Sequence, residues 1–314
     1  MKDGKVKVID CTMRDGGIMN NWEFSYETVR RIYNANIQAG VDIMEMGYRV
    51  SPKLFSREDH GVWRFCDEEE LQKIITEKPE KMRIAVMGDI GRVCKENFIP
   101  RKDSVIDIFR LACYAHQVDE VIEISDHLNL LGYETFFNVM AVSTNPVDVV
   151  KKVLRKLNNA GATGVYLSDT FGSFHPGEIS ERLSIYRELC PNLELGYHGH
   201  NNTQLALANS MKALEFGVGY IDASYYGMGR GAGNTPLELL LPVITTRKYD
   251  IGPIVEVIQS DIEPLMDKYK WGYRIPYAIS GILNQHPREA IKLVSSEEKQ
   301  CYKQFYEDSK LITV

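Results

Sequence analysis

The chain has 314 residues, of which 44% are hydrophobic and 25% charged, with a formal net charge of -6. This is ordinary for a globular protein with one large core or two modest ones. Because nucleic-acid binding requires clustered positive charge, the acidic balance gives no reason to expect a phosphate-backbone partner.

The N-terminal sequence MKDGKVKVID leads directly into a strand-like run, without the apolar segment of a signal peptide. No stretch approaches the ~18 uninterrupted apolar residues of a membrane span. The six cysteines are widely spread and form no Cys-x-x-Cys pair, which argues against a disulfide framework and a structural zinc site. We therefore expect a cytoplasmic protein with no membrane and no nucleic-acid partner.

Short β-branched runs alternate with longer amphipathic patterns up to about residue 245. The eight predicted strands cover residues 5–10, 41–46, 82–87, 106–113, 134–139, 164–168, 194–197 and 220–224. Helical patterns between them include residues 26–40, 117–132, 145–161 and 203–217, each ending in a glycine of the kind that closes helices. The connection after the third strand carries the weakest helical pattern.

Eight strand–helix units in about 240 residues predict a TIM (β/α)8 barrel of the α/β class rather than an open doubly wound sheet. No GxGxxG motif, the mark of the dinucleotide-binding alternative, follows the first strand. We assign the barrel to residues 1–249 and a C-terminal helical extension, packed on the barrel, to residues 250–314. Its aromatic segment WGYRIPYAISGIL, residues 271–283, is expected to contribute to a homodimer.

Polar residues follow the predicted strands, at the end where barrels of this type place their active sites. They are Asp10, Arg14 and Asp15 after the first strand, Glu45 and Tyr48 after the second, His116 after the fourth, Asp169, Thr170 and His175 after the sixth, His198 and His200 after the seventh, and Asn234 after the eighth. His198 and His200 point to one side of their strand because side chains alternate along it. Strands 1, 7 and 8 are neighbours in a closed barrel, so one divalent ion could be shared by Asp15, His198, His200 and Asn234. Such mixed nitrogen and oxygen ligands suit Mn²⁺, Mg²⁺ or Zn²⁺.

Four ordered motifs carry a family resemblance: CTMRDGG, SDTFG, HGHNNTQLALANS and GMGRGAGNTPLELL, after or at strands 1, 6, 7 and 8. Over residues 5–247 the chain resembles the DRE-TIM metallolyases, which are HMG-CoA lyase-like, and looks most like their 4-hydroxy-2-oxovalerate aldolase group. The resemblance implies a carbon–carbon lyase with a divalent ion, Mn²⁺ as first choice and Mg²⁺, Co²⁺ or Zn²⁺ as alternatives. The implied roles are metal binding by Asp15, His198 and His200, with Asn234 on or beside the ion, and stabilisation of a 2-oxo acid enolate by Arg14.

Elementary chemistry agrees with this assignment. Cleaving a carbon–carbon bond next to a carbonyl leaves an enolate, whose negative oxygen a metal ion and a guanidinium stabilise in a dry site. Asp10 and Glu45 are expected to accept hydrogen bonds that orient Arg14 or a bound water. Asp169 and Thr170 are expected beside the substrate.

The sequence departs from the family pattern at two positions. The aldolases carry a histidine base three residues after the metal-binding aspartate, where this chain has Ile18. The acyl-CoA condensing members have an acidic residue two after that aspartate, where this chain has Gly17. A replacement acid or base must therefore come from another loop, and the residues of suitable chemistry are His116, His175 and Tyr48.

Three functions remain open at this point. The first is an aldolase that joins or separates a 2-oxo acid, such as pyruvate, and an aldehyde, as a homodimer and with a dehydrogenase as a further partner. The second is a Claisen-type enzyme that uses an acyl-CoA, although Gly17 and the lack of a long regulatory C-terminal domain disfavour the synthases. The third is a non-catalytic barrel that serves as a binding module.

Overall fold

The computed structural model of the chain describes residues 6–245, 249–296 and 301–311, so the predicted strand start at Lys5 and the end of the family resemblance at residue 247 lie outside it. Eight parallel strands close into one barrel in sequence order. They are β1 Lys7–Asp10, β2 Ile43–Tyr48, β3 Arg83–Asp89, β4 Ile108–Cys113, β5 Glu134–Val139, β6 Gly164–Asp169, β7 Glu194–Gly199 and β8 Tyr220–Ala223. The predicted TIM barrel is confirmed.

Helices cover the outside of the barrel and continue after it. They are α1 Gly17–Asn20, α2 Tyr26–Ala39, α3 Glu68–Gln72, α4 Val118–Leu130, α5 Val147–Leu157, α6 Pro176–Leu189, α7 Ala206–Phe216, α8 Leu237–Leu240, α9 Gly252–Val257, α10 Glu263–Tyr269, α11 Ile275–Ile282, α12 Arg288–Ser295 and α13 Tyr302–Lys310. Between β3 and β4 the chain forms only the short 3₁₀ turns Lys95–Asn97 and Arg101–Asp103, in line with the weak pattern there.

Local sequence sets the ends of α2, the helix after β1. The Ser25 hydroxyl accepts a hydrogen bond from the Thr28 N–H at 3.0 Å, which satisfies a free donor of the first turn. Gly40 ends the helix with a φ of 81°, a left-handed conformation that favours glycine.

The barrel interior consists of two layers, because inward-facing side chains alternate along each strand. The lower layer is apolar and contains Ile9, Ile43, Ala85, Ile108, Phe136, Tyr166 and Tyr220. Two residues further along five of these strands, the buried side chains are polar or charged: Glu45, Arg110, Asn138, Ser168 and Asp222. The barrel is therefore apolar below and polar at the carboxyl ends of its strands, where active sites of this fold lie.

The helices that follow the barrel pack against it. Trp271 is buried and its Nε1 donates a hydrogen bond to the Tyr226 carbonyl at 3.2 Å. Asn202, in the loop after β7, donates from Nδ2 to the Tyr277 carbonyl of α11 at 3.2 Å. The C-terminal helices thus reach the catalytic end of the barrel. Among the residues described, no helix combines the length and the apolar character needed to cross a membrane.

Candidate active site

The loop after β1 forms a buried π-helical turn over Thr12–Gly16, which carries two charged residues side by side. Arg14 donates from Nη1 to Asp15 Oδ1 at 2.6 Å and from Nε to Glu45 Oε2 at 2.8 Å. Arg14 is 4% exposed and Asp15 is 1% exposed. The guanidinium is therefore fixed between two carboxylates, one of them on β2, at the polar end of the barrel.

Asp10 has a different set of contacts from the one expected. Its carboxylate accepts hydrogen bonds from the N–H and the hydroxyl of Thr12 and from Asn36 Nδ2, and it does not contact Arg14. Burial raises the pKa of Asp10 to about 6, although these hydrogen bonds oppose the increase. Asp10 anchors the start of the loop that presents Arg14, whereas Glu45 contacts Arg14 directly.

The two histidines of β7 and its following loop lie beside Asp15. One possible ligand atom of Asp15, one of His198 and one of His200 all lie within 4.8 Å of one another. Asn234 pairs with His200 through an isolated β-bridge and donates from Nδ2 to Asp15 Oδ2 at 2.7 Å. The structure thus brings together all four residues that the sequence predicts around one ion.

The donor set fits a divalent metal ion. His198 Nδ1 lies 2.8 Å from Asp222 Oδ2, and His200 Nδ1 lies 3.3 Å from the Gly233 carbonyl. Each contact assigns the proton to Nδ1 and leaves the Nε2 lone pair for a ligand, an arrangement common at metal sites. The Oδ1 atom of Asn234 is buried and has no hydrogen-bond partner within the described chain. An ion among these atoms would satisfy that oxygen.

The protonation states also suit metal binding, which requires deprotonated ligands. Burial raises the pKa of Asp15, but the Arg14 guanidinium and the other positive groups around it together outweigh this effect and hold that pKa well below its usual range. Burial lowers the pKa of His200 well below its ordinary value, so the imidazole is neutral.

A buried chain of ion pairs supports these ligands from below, and two of its members were not predicted. Arg110 on β4 is fully buried and donates to Glu45 Oε2 at 2.9 Å and to Asp222 Oδ2 at 2.6 Å. Asp222 in turn contacts His198, so the network joins one of the predicted metal ligands to Arg14. The available signal was a single charged residue within the apolar strands IFRLAC and YIDA.

Of the three residues considered as acid or base, only Tyr48 lies in the mouth of the barrel. Its ring centroid is 5.4 Å from that of Trp22, and its pKa responds to the charges of Asp89, Arg14 and Asp15. Burial raises the pKa of Tyr48 well above its ordinary value, so the phenol stays protonated and acts as a donor.

The two predicted rim histidines lie outside the cluster. His116 is exposed and its ring stacks on Tyr114 at 5.9 Å. His175 is exposed and caps α6, where its N–H donates to Glu178 Oε2 at 2.9 Å. Neither makes a recorded hydrogen bond to a member of the Asp15 cluster within the described residues.

Asp169 and Thr170 hold the loop after β6 in place. Asp169 accepts hydrogen bonds from the N–H groups of Ser173 and Phe174 at 2.9 and 3.1 Å. Burial raises the pKa of Asp169 to about 7. The Thr170 hydroxyl accepts from the Ala141 N–H at 2.8 Å. Their contacts within the chain are those of loop anchors.

The two positions that depart from the family pattern are both packed against apolar or aromatic side chains. Trp22 lies directly over Gly17, in the space that a side chain there would occupy, and its Nε1 donates to the Arg14 carbonyl at 3.0 Å. Ile18 is partly buried and packs on the hydrophobic core. The Trp22 ring therefore leaves no room for an acidic side chain at position 17.

Comparisons with known proteins agree with this geometry. The family described as HMGL-like matches residues 5–263. A 4-hydroxy-2-oxovalerate aldolase from Marinomonas sp. (strain MWYL1) is 30% identical over 84% of this chain and 79% of its own length. The 4-hydroxy-2-oxovalerate aldolase of Pseudomonas putida is 29% identical over 82% of this chain and 76% of its own length.

Solved structures give the same fold. The N-terminal domain of a protein from Bacteroides vulgatus superposes with a TM-score of 0.80 at 30% identity, covering 93% of this chain and 97% of that domain. The HMG-CoA lyase of Brucella melitensis superposes with a TM-score of 0.65 at 19% identity, covering 80% of this chain and 95% of that enzyme. The second likeness concerns the fold alone.

Proposed function

The chain belongs to the HMGL-like family, a DRE-TIM family of carbon–carbon lyases, and from this premise we propose that it is an aldolase for a 4-hydroxy-2-oxo acid. The 2-oxo acid half, pyruvate or a close relative, passes through an enolate. The other half is an aldehyde.

The position of Arg14 carries this proposal. Its guanidinium is buried, held by Asp15 and Glu45, and directly beside the predicted ligand cluster. Nε and Nη1 make these two hydrogen bonds, and Nη2 makes none that is recorded within the described residues. A fixed donor in a low-dielectric site stabilises an oxyanion without reorganisation during the reaction. We assign to Arg14 Nη2 the enolate oxygen of the substrate.

Asp15, His198, His200 and Asn234 would hold the divalent ion. When bound, the ion supplies Lewis-acid polarisation of the 2-oxo group. Tyr48, protonated and near Arg14, is the residue of this chain suited to donate a hydrogen bond to the 4-hydroxyl or aldehyde oxygen. The buried ring of Trp22, 5.4 Å from that of Tyr48, packs against the phenol and fixes its position.

Deuterium exchange tests this function without knowledge of the aldehyde. Metal-loaded protein incubated with pyruvate in D₂O is expected to incorporate deuterium into the methyl group, because the enolate takes a solvent deuteron when it returns to pyruvate. Metal-stripped protein is the control and should show the uncatalysed rate. Undeuterated pyruvate together with turnover of an acyl-CoA would identify the Claisen-type alternative, and inactivity toward both would favour the binding module.

A further inference from the structure

Arg230, in the glycine-rich loop after β8, reaches across the mouth of the barrel. The preceding residue, Gly229, lies so close to the ligand cluster that a Cβ there would be 2.6 Å from Asp15 Oδ2. Arg230 donates from Nη2 to the Thr170 carbonyl at 2.5 Å, and its Nη1 lies 3.2 Å from His286 Nε2. Its side chain therefore runs from the loop after β8 to the loop after β6 and to the turn between α11 and α12.

This guanidinium has no carboxylate partner. No salt bridge to Arg230 is found among the described residues, where its contacts are a carbonyl and an imidazole. Its Nε atom is buried and without a hydrogen-bond partner there. Burial lowers the pKa of Arg230, although Asp15 opposes this effect. Arg230 is only partly buried, but a cation whose Nε is buried and which no carboxylate pairs with is stabilised when a bound anion supplies the missing charge.

His286 adds a second donor at the same place. Its Nδ1 faces the Arg288 N–H at 3.1 Å while its Nε2 faces Arg230. His286 is exposed, and partial desolvation together with the charges of Arg230 and Arg288 lowers its pKa, so the ring is neutral. A neutral imidazole accepts a hydrogen bond at only one nitrogen. When Nδ1 accepts from Arg288, Nε2–H and Arg230 face each other as two donors, and an oxyanion would accept from both.

The charges of the buried ion network below the mouth can be balanced without Arg230. The buried network contains three carboxylates and two guanidinium groups, so a bound divalent ion gives it one net positive charge. The single carboxylate of a 2-oxo acid neutralises that charge. Before the enolate forms and adds its own negative charge, Arg230 brings one positive charge to the mouth beyond those that the 2-oxo acid neutralises.

We infer that Arg230 and His286 bind a second anionic group of the substrate, so that the aldehyde half carries a carboxylate or a phosphate. This inference rests on the proposed aldolase function and specifies its substrate class. It makes Arg230 a specificity residue that contacts the part of the substrate farthest from the enolate.

Binding of two matched 2-oxo acids tests the inference. Calorimetry on the metal-loaded protein compares 2-oxoglutarate with 2-oxovalerate, which have five carbons each and differ in the distal carboxylate. We expect the dicarboxylate to bind about 10- to 100-fold more tightly, the effect of one or two charge-assisted hydrogen bonds. In Arg230→Met this ratio should fall to about one, and His286→Gln should reduce it in part.

Arg187→Met is the matched control. Arg187 also donates to main-chain carbonyls, those of Phe216 and Gly217 at 3.1 Å, and lies over an aromatic ring, but it is on α6 away from the mouth. It should keep the wild-type ratio. Aldol addition of pyruvate to glyoxylate and to glycolaldehyde phosphate then tells which anion is preferred, with acetaldehyde as the neutral reference.

Equal affinity of the wild-type protein for the two 2-oxo acids would overturn the inference, whatever the variants do. Deuteration of pyruvate together with equal affinities would leave the aldolase function standing and reject only the anionic aldehyde. If pyruvate is not deuterated but the ratio of the affinities for 2-oxoglutarate and 2-oxovalerate depends on Arg230, the proposed aldolase function fails. The anion site at Arg230 then still stands.

Discussion

Arg14 and Asp15 are neighbours in sequence, yet they have separate tasks. Asp15 belongs to the ligand cluster, whereas Arg14 is held by Asp15 and Glu45 with one nitrogen left for substrate. A planar guanidinium can meet both carboxylates and a substrate oxygen at once, which a compact ammonium cannot do. The proposed role of Arg14 in stabilising the enolate therefore depends on the planar shape of its guanidinium as well as on its positive charge.

Arg14→Lys separates these tasks. We expect metal content to remain, because the four ligands are unchanged, and kcat to fall by about 10²- to 10³-fold, as for the loss of one preorganised oxyanion donor. The stabilised charge is largest in the transition state, so substrate binding should weaken less than turnover. Metal analysis and steady-state kinetics on one preparation check this. Normal turnover with full metal would make Arg14 structural, and loss of metal would make it a support for Asp15.

Asp222→Asn tests the residue that sequence reasoning missed. Arg110 Nη2 and His198 Nδ1 both donate to Asp222 Oδ2, so the amide oxygen would take this place without its negative charge, and we expect metal affinity to fall by about 10-fold. Arg110 keeps Glu45 as a partner, and the barrel should therefore still fold. Chelator competition measures the affinity, with His200→Ala as the reference for near-complete loss. Unchanged affinity in Asp222→Asn would show that its carboxylate does not orient the ligand.

At the scale of elements, the strands could be predicted to within two residues at their carboxyl ends, and the loop conformations could not be predicted. β2, β3 and β7 each run two residues beyond their predicted ends, so Tyr48, Asp89 and His198 lie within strands. Because side chains alternate along a strand, the sequence alone predicted that His198 and His200 point to the same side of β7. Nothing in the sequence gives the π-helical turn after β1, because its packing partner, Trp22, follows it in the chain and covers it through tertiary contacts.

The glycine-rich loop after β8 owes its path to a lack of side chains. At Gly229 a Cβ would lie 2.6 Å from Asp15 Oδ2 and 2.3 Å from Asn234 Nδ2. We expect Gly229→Ala to displace these two ligands and to lose most of the bound metal, while the barrel remains folded. Gly177→Ala on α6 is the control, since a Cβ there has no neighbour within 4 Å. Full metal occupancy in Gly229→Ala would show that the loop moves freely.

Asp169, the last residue of β6, should make the stability of the protein depend on pH. The folded pKa of Asp169 is about 7, raised from 3.8 by burial. Its contribution to stability is therefore complete below about pH 4 and is lost as pH rises through 7. Between pH 5 and 8 the unfolding free energy of the wild type should fall on the order of 2 kcal/mol more than that of Asp169→Asn.

Urea denaturation at both pH values measures this difference. Asp119→Asn is the control, because that aspartate is exposed and paired with Lys156 on the surface. It should follow the wild-type pH dependence. Parallel curves for the wild type and Asp169→Asn would mean that Asp169 is ionised throughout this range.

At the scale of the whole molecule, the barrel and its ligand cluster follow from patterns that repeat along the chain. The buried ion network was harder to predict, because it joins β2, β4 and β8 across the interior rather than along one strand. A charged residue two positions after an apolar one, as in Ile108 and Arg110, marks the upper layer once the barrel is known. Arg230 and His286 come from segments far apart in sequence, and only the tertiary structure brings them together.

The outer face of α11 and its preceding turn bears on assembly. Trp271 and Tyr277 are buried against the molecule, whereas Tyr273 is 60% exposed and Ile282 is 68% exposed. This leaves a pair of large apolar side chains on the surface of the segment predicted to form a homodimer. Side chains of this kind are enriched at protein interfaces, where their burial is favourable.

A dimer through this face should depend on Tyr273 and Ile282. We expect the wild type to be a dimer in light scattering at micromolar concentration, and Ile282→Asp combined with Tyr273→Asp to be monomeric, because each buried carboxylate would lack a partner. Leu130→Asp is the control, since Leu130 is 88% exposed on α4 and lies outside this segment. A monomeric wild type would remove the dimer, and a dimer that survives the double change would place its interface on another face of the barrel.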